Sequence, residues 1–131
     1  MRWPWSRQPL TRSELGALGE RHAARALRAA GLQILEGNFR TKRGELDLIA
    51  REGDTLVFVE VRTRTSTSTL TPLASVDARK QARIIHLAQR YLLVRHLPEC
   101  SCRYDVVEVL ATPEGKVLDV HHVPGAFTPG L

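Results

Sequence analysis

The hydrophobic positions of this chain repeat with a helical period in two segments and with the pattern of β-strands in five others. Over residues 15–30, apolar side chains recur at every third or fourth position, which is the spacing of one buried helix face. Thr11 and Glu14 have the spacing of a capping box, so we expect this helix to begin at Arg12, and Gly31 is the expected stop.

The five strand-like segments are apolar, rich in β-branched residues and bounded by turn residues. The predicted strands cover residues 32–40, 45–50, 55–62, 103–110 and 116–123, and the last is expected at an edge of the sheet. The second helix is predicted over residues 76–95, with Ser75 as its cap. The order αβββαββ predicts an α/β fold in which helices flank one mixed sheet.

Length and composition suit a single globular domain, since the chain has 131 residues, of which 43% are hydrophobic and 25% charged. Residues 1–10 are expected to form a flexible N-terminal arm, and residues 11–131 the domain itself. No apolar run approaches the roughly 18 residues that span a bilayer, and the N-terminus lacks the apolar core of a signal peptide. Cys100 and Cys102 suit neither a disulfide framework nor a standard zinc site, so we expect a reduced, cytoplasmic protein without a membrane partner.

Two acidic residues, Asp47 and Glu60, stand inside the second and third predicted strands. If the Gly-Asp pair at 53–54 forms the turn, Asp47 faces Glu60 and Glu45 faces Arg62. Neighbouring like charges destabilise a sheet unless a cation lies between them, and Mg²⁺ and Mn²⁺ prefer carboxylate oxygens. The alternative is a hairpin with one solvated face, on which Glu45 and Arg62 form an ordinary ion pair. A register slip of one residue would also separate the carboxylates.

Basic residues surround this hairpin, in a chain whose net charge of +5 permits a polyanionic partner such as nucleic acid. Arg43 lies in the turn before the second strand, and Arg64 follows the third. Arg79 and Arg83 lie on a flank of the second helix, where basic residues are usually just solvated. Lys80 differs, because it shares a helical row with apolar residues and is expected to point toward the sheet.

Two other features near the hairpin have open interpretations. Glu20 lies at the edge of the first helix's apolar stripe, where the simplest interpretation is a solvated flank residue. The run from Thr63 to Ser75 is dominated by Thr and Ser, has no periodicity and is long for a connection between elements. It is either a functional loop or a locally disordered segment.

Asp47 is followed by twelve other residues and then by Glu60-Val61-Arg62, and a helix that carries Glu20 precedes both. This arrangement resembles the PD-(D/E)xK nuclease superfamily, which includes Holliday-junction resolvases and many restriction enzymes. More closely, GELDLIA at 44–50 and FVEVR at 58–62 are similar to the YraN family of small endonuclease-like proteins. The similarity covers most of the chain.

The resemblance implies a restriction-endonuclease-like fold and metal-dependent hydrolysis of phosphodiester bonds in DNA rather than RNA, with a preference for branched or otherwise structured substrates. It implies that Asp47 and Glu60 hold Mg²⁺ or Mn²⁺, and that Glu20 orients a water or binds a second ion. The catalytic set is then Glu20, Asp47, Glu60 and Arg62, with phosphate contacts from Arg43, Arg64, Arg79, Lys80 and Arg83. Resolvase-like enzymes often act as homodimers, but no segment here identifies an interface.

The chain departs from the family pattern at Arg62, where the family has lysine. An amine can lose a proton when buried and help to activate water, whereas a guanidinium stays charged and clamps phosphate. Arg62 suffices if the metal generates hydroxide unaided, or Lys80 supplies the missing amine, or the site binds nucleic acid without cutting it. The third outcome gives the alternative function, a non-catalytic nucleic-acid-binding module. An adaptor for an acidic protein partner is a further hypothesis, supported by charge alone.

Overall fold

The computed structural model describes residues 8–67 and 76–129. Within them the elements follow the predicted order, which confirms the α/β fold with a mixed sheet and flanking helices. Their bounds are α1 Arg12–Ala29, β1 Gln33–Thr41, β2 Gly44–Glu52, β3 Thr55–Thr65, α2 Ala78–Val94, β4 Cys102–Ala111 and β5 Val117–Phe127. Neither helix of these described ranges is long and apolar enough to cross a membrane.

Both helices begin at a side chain that caps the backbone. At α1, the Thr11 hydroxyl accepts a hydrogen bond from the Glu14 N–H at 3.1 Å, and the Glu14 carboxylate accepts one from the Thr11 N–H at 2.9 Å, which confirms the predicted capping box. At α2, the cap is Asp77, whose carboxylate accepts a hydrogen bond from the Lys80 N–H at 2.9 Å. Ser75, the predicted cap, lies outside the described residues. The helix begins later than predicted because Asp77 satisfies its first backbone donors.

The five strands form one sheet in the order β1-β2-β3-β4-β5, with β5 at an edge as predicted. Neighbouring strands are antiparallel except β3 and β4, which are parallel and are joined through α2. α2 packs on one face of the sheet through Ile84, Leu87 and Tyr91, and α1 packs on the other through Ala23 and Leu27. The sheet is therefore covered on both faces by two separate apolar cores, so charged residues within it need polar partners.

β2 and β3 separate just before their acidic residues. Their pairing begins beside the Gly-Asp turn and ends at Leu48 opposite Val59, which confirms the predicted register. Beyond that point β2 continues beside β1 alone, and β3 continues in parallel beside β4. The next residues along the two strands are Asp47 and Glu60, which therefore stand at the opening between β2 and β3. We call this opening the fork.

The fork also changes the partner of Glu45. This residue lies opposite Arg40 of β1, and its Oε2 atom is 2.7 Å from Nε of Arg40. The expected pairing of Glu45 with Arg62 is therefore wrong, because the two strands have already separated where these residues lie.

The backbone of β2 turns over beside the fork. Leu46 and Leu48 are two residues apart, so on a regular strand both side chains would point to the same face of the sheet. Here they belong to the two cores on opposite faces. Asn38 of β1 occupies the position opposite Asp47, between two regular pairs, and has a positive φ of 56°. The change of face therefore occurs at the position of Asp47.

The described end of the N-terminal arm contacts the domain. The Leu10 N–H donates a hydrogen bond to the Pro113 carbonyl at 2.8 Å, and the Leu10 side chain lies beside Gly115. These contacts attach the start of α1 to the turn between β4 and β5. Residues 1–7, the rest of the predicted arm, lie outside the described residues.

Candidate active site and metal centre

Glu20 reaches the fork because α1 packs unusually close to β3. A Cβ atom added to Gly19 would lie 1.8 Å from Oγ1 of Thr63, so a larger residue cannot occupy this position unless the Thr63 side chain or the helix shifts. The close approach brings the next residue, Glu20, to the sheet, where its carboxylate accepts a hydrogen bond from Asn38. Burial raises the pKa of Glu20, the Asn38 hydrogen bond opposes the rise, and the charge of Glu45 adds to it. Glu20 is therefore part of the polar cluster and not a solvated flank residue.

Three carboxylates converge at this point. One oxygen each from Glu20, Glu45 and Asp47 lies within 4.8 Å of the others, and all three residues are half-buried. Oxygen donors at such spacing form the kind of ligand set that Mg²⁺ and Mn²⁺ prefer. Sequence reasoning treated Glu45 as an ion-pair partner and missed its place in this group. The available signal was its position two residues before Asp47, because side chains at this spacing share a face on a regular strand.

Asp47 lies at the centre of the site. Its Oδ2 atom accepts a hydrogen bond from the Val61 N–H at 2.8 Å, and its carboxyl group is within hydrogen-bonding reach of Glu60. Burial, together with the charge of Glu60, raises the pKa of Asp47 to about 8. The residues present thus fit a divalent cation, because a positive charge among these oxygens offsets the repulsion that raises this pKa.

Glu60 is buried and connects the acidic residues to two cations. Its Oε1 atom lies 2.7 Å from Nζ of Lys80 and 3.7 Å from a terminal nitrogen of Arg62. The expectation that Lys80 points toward the sheet is confirmed. The site therefore has an acidic side, formed with α1 and β2, and a basic side formed by Arg62 of β3 and Lys80 of α2.

The other predicted phosphate-binding residues extend away from the fork along α2 and β3. Arg79 and Arg83 are exposed on α2, and the Arg83 side chain lies beside Gly44. Arg43, in the turn between β1 and β2, has a terminal nitrogen 3.3 Å from Nε2 of His86. Arg64 is half-buried near the end of β3.

Glu108 adds a charge that sequence reasoning did not single out. It lies beside Arg62 in the parallel pairing of β3 and β4 and is buried. Its Oε2 atom has no hydrogen-bond partner among the described residues. The basic side of the site thus has a second carboxylate next to Arg62, besides Glu60.

A separate polar network lies around Asp105 of β4. Its buried carboxylate accepts hydrogen bonds from two nitrogens of Arg103, at 2.8 and 3.0 Å, and from the Gly125 N–H at 3.0 Å. Nε2 of His122 lies 2.7 Å from Oδ2 of the same residue. Burial works to raise the pKa of Asp105, but these hydrogen bonds together lower it below its usual value. His122 is therefore held by a carboxylate.

Comparison with known proteins identifies the family. The profile of the uncharacterised protein family UPF0102 matches residues 19–109. A UPF0102 protein of Moorella thermoacetica is 45% identical over 118 residues, which cover 90% of this chain and 98% of the relative. A UPF0102 protein of Dictyoglomus turgidum is 37% identical over 118 residues, 90% of this chain and 100% of the relative. The chain therefore belongs to the UPF0102 family, also called the YraN family.

Proposed function

We propose that this protein is a metal-dependent nuclease that hydrolyses phosphodiester bonds in DNA. The observation that carries the proposal is the convergence of Glu20, Glu45 and Asp47 within 4.8 Å, with the ion pair of Glu60 and Lys80 next to them. Carboxylates that can hold a cation beside a basic group suit metal-assisted hydrolysis of phosphodiesters. The resemblance of the Asp47 and Glu60-Val61-Arg62 spacing to PD-(D/E)xK nucleases supports the same chemistry.

Asp47 is the residue around which a metal would be held. Its carboxylate oxygens lie next to those of Glu60, as the sequence predicts. They also lie next to the carboxylate oxygens of Glu20 and Glu45, so Asp47 belongs to two groups of possible ligands. A divalent cation held there would supply polarisation of a phosphoryl oxygen and a lowered pKa for attacking water. The Val61 N–H fixes the orientation of the Asp47 carboxylate, so the ligand is positioned before substrate arrives.

The basic side of the site would act on the substrate phosphate. Arg62 stays charged, and its guanidinium can clamp phosphate oxygens as negative charge develops on them. Lys80 brings an amine to within 2.7 Å of Glu60, so this pair can hold a proton at Nζ next to the reacting group. Lys80 thus supplies from α2 the amine that the family pattern has at the position of Arg62.

DNA is the proposed substrate because the surroundings of the site are basic. Arg43, Arg79 and Arg83 offer phosphate contacts along one side of α2, in a chain of net charge +5. Contacts of this kind give affinity that falls steeply with salt and carry little sequence preference. The preference for flapped or four-way DNA rests on the resemblance to resolvases.

The test is cleavage of labelled linear, flapped and four-way DNA, and of matched RNA, with Mg²⁺, Mn²⁺ or EDTA. We expect metal-dependent cutting of DNA by the wild type and none by Asp47→Asn. Asp54→Asn is the matched control, because it makes the same chemical change at the exposed turn of the same hairpin and should keep full activity. Activity that persists in Asp47→Asn would exclude Asp47 from the mechanism.

One observation favours a second function. Arg62 replaces the family lysine and cannot act as a base, so the same fold would serve as a non-catalytic nucleic-acid-binding module if Lys80 does not replace that amine. This alternative predicts salt-sensitive binding, no turnover with any divalent metal, and a gain of cutting in Arg62→Lys. Metal-dependent turnover by the wild type rejects it.

A further inference from the structure

A second basic feature lies away from the fork, between the turn that joins β1 to β2 and the exposed side of α2. It is a cleft of about 670 Å³, lined by Thr41, Lys42, Arg43, His86, Leu87, Gln89, Arg90 and Leu93. Three of these residues carry a fixed positive charge, and none of the residues lining the cleft is acidic. We call it the α2 cleft.

The walls of the α2 cleft are held together by direct contacts. Gly44 has a φ of +141°, which favours glycine, and its α-carbon faces the side chains of Arg83 and Leu87. The turn therefore lies against α2. Across the opening, Arg43 approaches Nε2 of His86 at 3.3 Å. Because arginine has only donors, Nε2 of His86 accepts this hydrogen bond, which joins the turn to α2 at the cleft.

The size and lining of the α2 cleft suit a phosphate that is part of a larger group. Its volume falls in the range of about 300–1,000 Å³ typical of small-molecule sites and is large for an isolated phosphate ion. Lys42, Arg43 and Arg90 offer charged donors, while the exposed side chain of Leu93 supplies an apolar surface beside them. A sugar–phosphate chain has this combination of charged and apolar surface.

The α2 cleft and the fork lie at the two ends of one short stretch of chain. Arg43 precedes Asp47 by four residues, a separation of at most about 13 Å in extended backbone. The Arg83 side chain adds a cation beside Gly44, within this stretch. Along B-DNA this distance corresponds to about four nucleotide steps of axial rise. A strand whose phosphate lies at the fork can therefore reach the cleft.

We propose that the α2 cleft binds the phosphodiester backbone of the substrate strand, about four nucleotides from the bond at the fork. This proposal rests on the proposed function, since it takes the fork as the place of cleavage. It assigns Lys42, Arg43 and Arg90 to an anchoring site that makes no contact with the reacting phosphate. A free nucleotide shares the same chemistry, and length dependence separates the two sources.

The experiment measures DNA binding by Asp47→Asn in Ca²⁺, which removes cleavage from the readout, with and without Lys42→Gln and Arg90→Gln. With a 20-nucleotide single strand at 0.1 M salt, loss of both contacts should weaken binding by at least about tenfold and reduce the salt slope by about 1.4. With a three-nucleotide strand, which is too short to span both sites, the same changes should have little effect. Arg25→Gln with Arg28→Gln is the matched control, since both residues are exposed on α1, on the opposite face of the sheet.

Equal affinity and salt slope in the cleft variant and the α1 control would overturn the proposal. Adenosine monophosphate that binds as tightly as the long strand, and loses affinity in the cleft variant, would assign the cleft to free nucleotides and overturn it as well. This outcome can be distinguished from that of the proposed function. If the wild type does not cut DNA but its binding depends on Lys42 and Arg90, the cleft is a binding site and the nuclease activity is rejected. If the wild type cuts DNA and binding does not depend on these residues, the nuclease activity is supported and the cleft proposal is rejected.

Discussion

The carboxylate of Asp47 accepts a hydrogen bond from the Val61 N–H at 2.8 Å, at the point where β2 and β3 stop pairing with each other. The Asp47 side chain, and not the backbone of β2, accepts the hydrogen bond of the Val61 N–H, close to the last pair of the two strands. The bond fixes Asp47 between Glu60 on one side and Glu20 and Glu45 on the other. The geometry of the acidic site therefore depends on where the two strands separate.

The first prediction concerns the stability of the metal-free protein. The pKa of Asp47 is raised from 3.8 to about 8, so the folded protein keeps a proton that the unfolded chain has already released at neutral pH. The contribution of protonated Asp47 to the free energy of unfolding is complete at a pH below 3.8, its pKa in the unfolded chain, and is lost as the pH rises toward 8. In EDTA, thermal unfolding at pH 5, 7 and 9 should show this fall for the wild type and a flatter profile for Asp47→Asn. Parallel profiles would contradict the raised pKa.

The second prediction concerns Lys80. Lys80→Met leaves Glu60 without its closest cation and should lower the cleavage rate by about 10²–10³-fold. Lys80→Arg separates an electrostatic role from a role in proton exchange, because arginine keeps the positive charge but has no amine that can exchange a proton. Recovery of the rate in Lys80→Arg would indicate a purely electrostatic role. Arg79→Met, on the neighbouring exposed position, should alter KM and salt dependence but not kcat.

The third prediction concerns the contact of α1 with β3. Gly19→Ala should destabilise the fold by about 1–3 kcal/mol, because the added Cβ would lie 1.8 Å from Oγ1 of Thr63. Thr63→Ala in the same chain should recover part of the loss. Gly16→Ala, on the same helix with nothing within 4 Å of its added Cβ, should instead stabilise by about 0.5–1 kcal/mol. Denaturant unfolding measures all three, and equal effects of the two glycine substitutions would refute this packing.

The fourth prediction concerns the network around Asp105. Asp105→Asn removes a buried carboxylate from its half-buried partners Arg103 and His122 and should cost about 3 kcal/mol. Asp119→Asn, exposed on β5, should change stability by less than about 0.5 kcal/mol. Because the folded pKa of Asp105 lies below its unfolded value, its contribution is present above that value and is lost as the pH falls. If the wild type and Asp105→Asn unfold at the same acid pH, the network around Asp105 contributes nothing to the free energy of unfolding.

Much of the site could be predicted from local sequence patterns. The Gly-Asp turn determines the hairpin register, and this correctly brought Asp47 beside Glu60. Helical periodicity likewise placed Lys80 on the side of α2 that faces the sheet. Both inferences use only neighbours within one hairpin or one helix.

The fork could not be predicted, because it depends on contacts between distant parts of the chain. β3 pairs in parallel with β4, whose residues lie more than forty positions later, from Leu56 to Thr65, whereas its pairing with β2 ends at Val59, and nothing within the hairpin marks that end. The pairing of Glu45 with Arg40 instead of Arg62 follows from it. The network around Asp105 depends in the same way on an irregularity between β4 and β5, where the Gly125 N–H becomes available to a side chain.

Titration calorimetry with Mn²⁺ measures whether the carboxylates at the fork share one divalent cation. We expect Mn²⁺ to bind to the wild type and to Asp54→Asn, and this binding to be lost in Asp47→Asn. Absence of binding to the wild type, or equal binding by Asp47→Asn, would show that these carboxylates do not form the metal site.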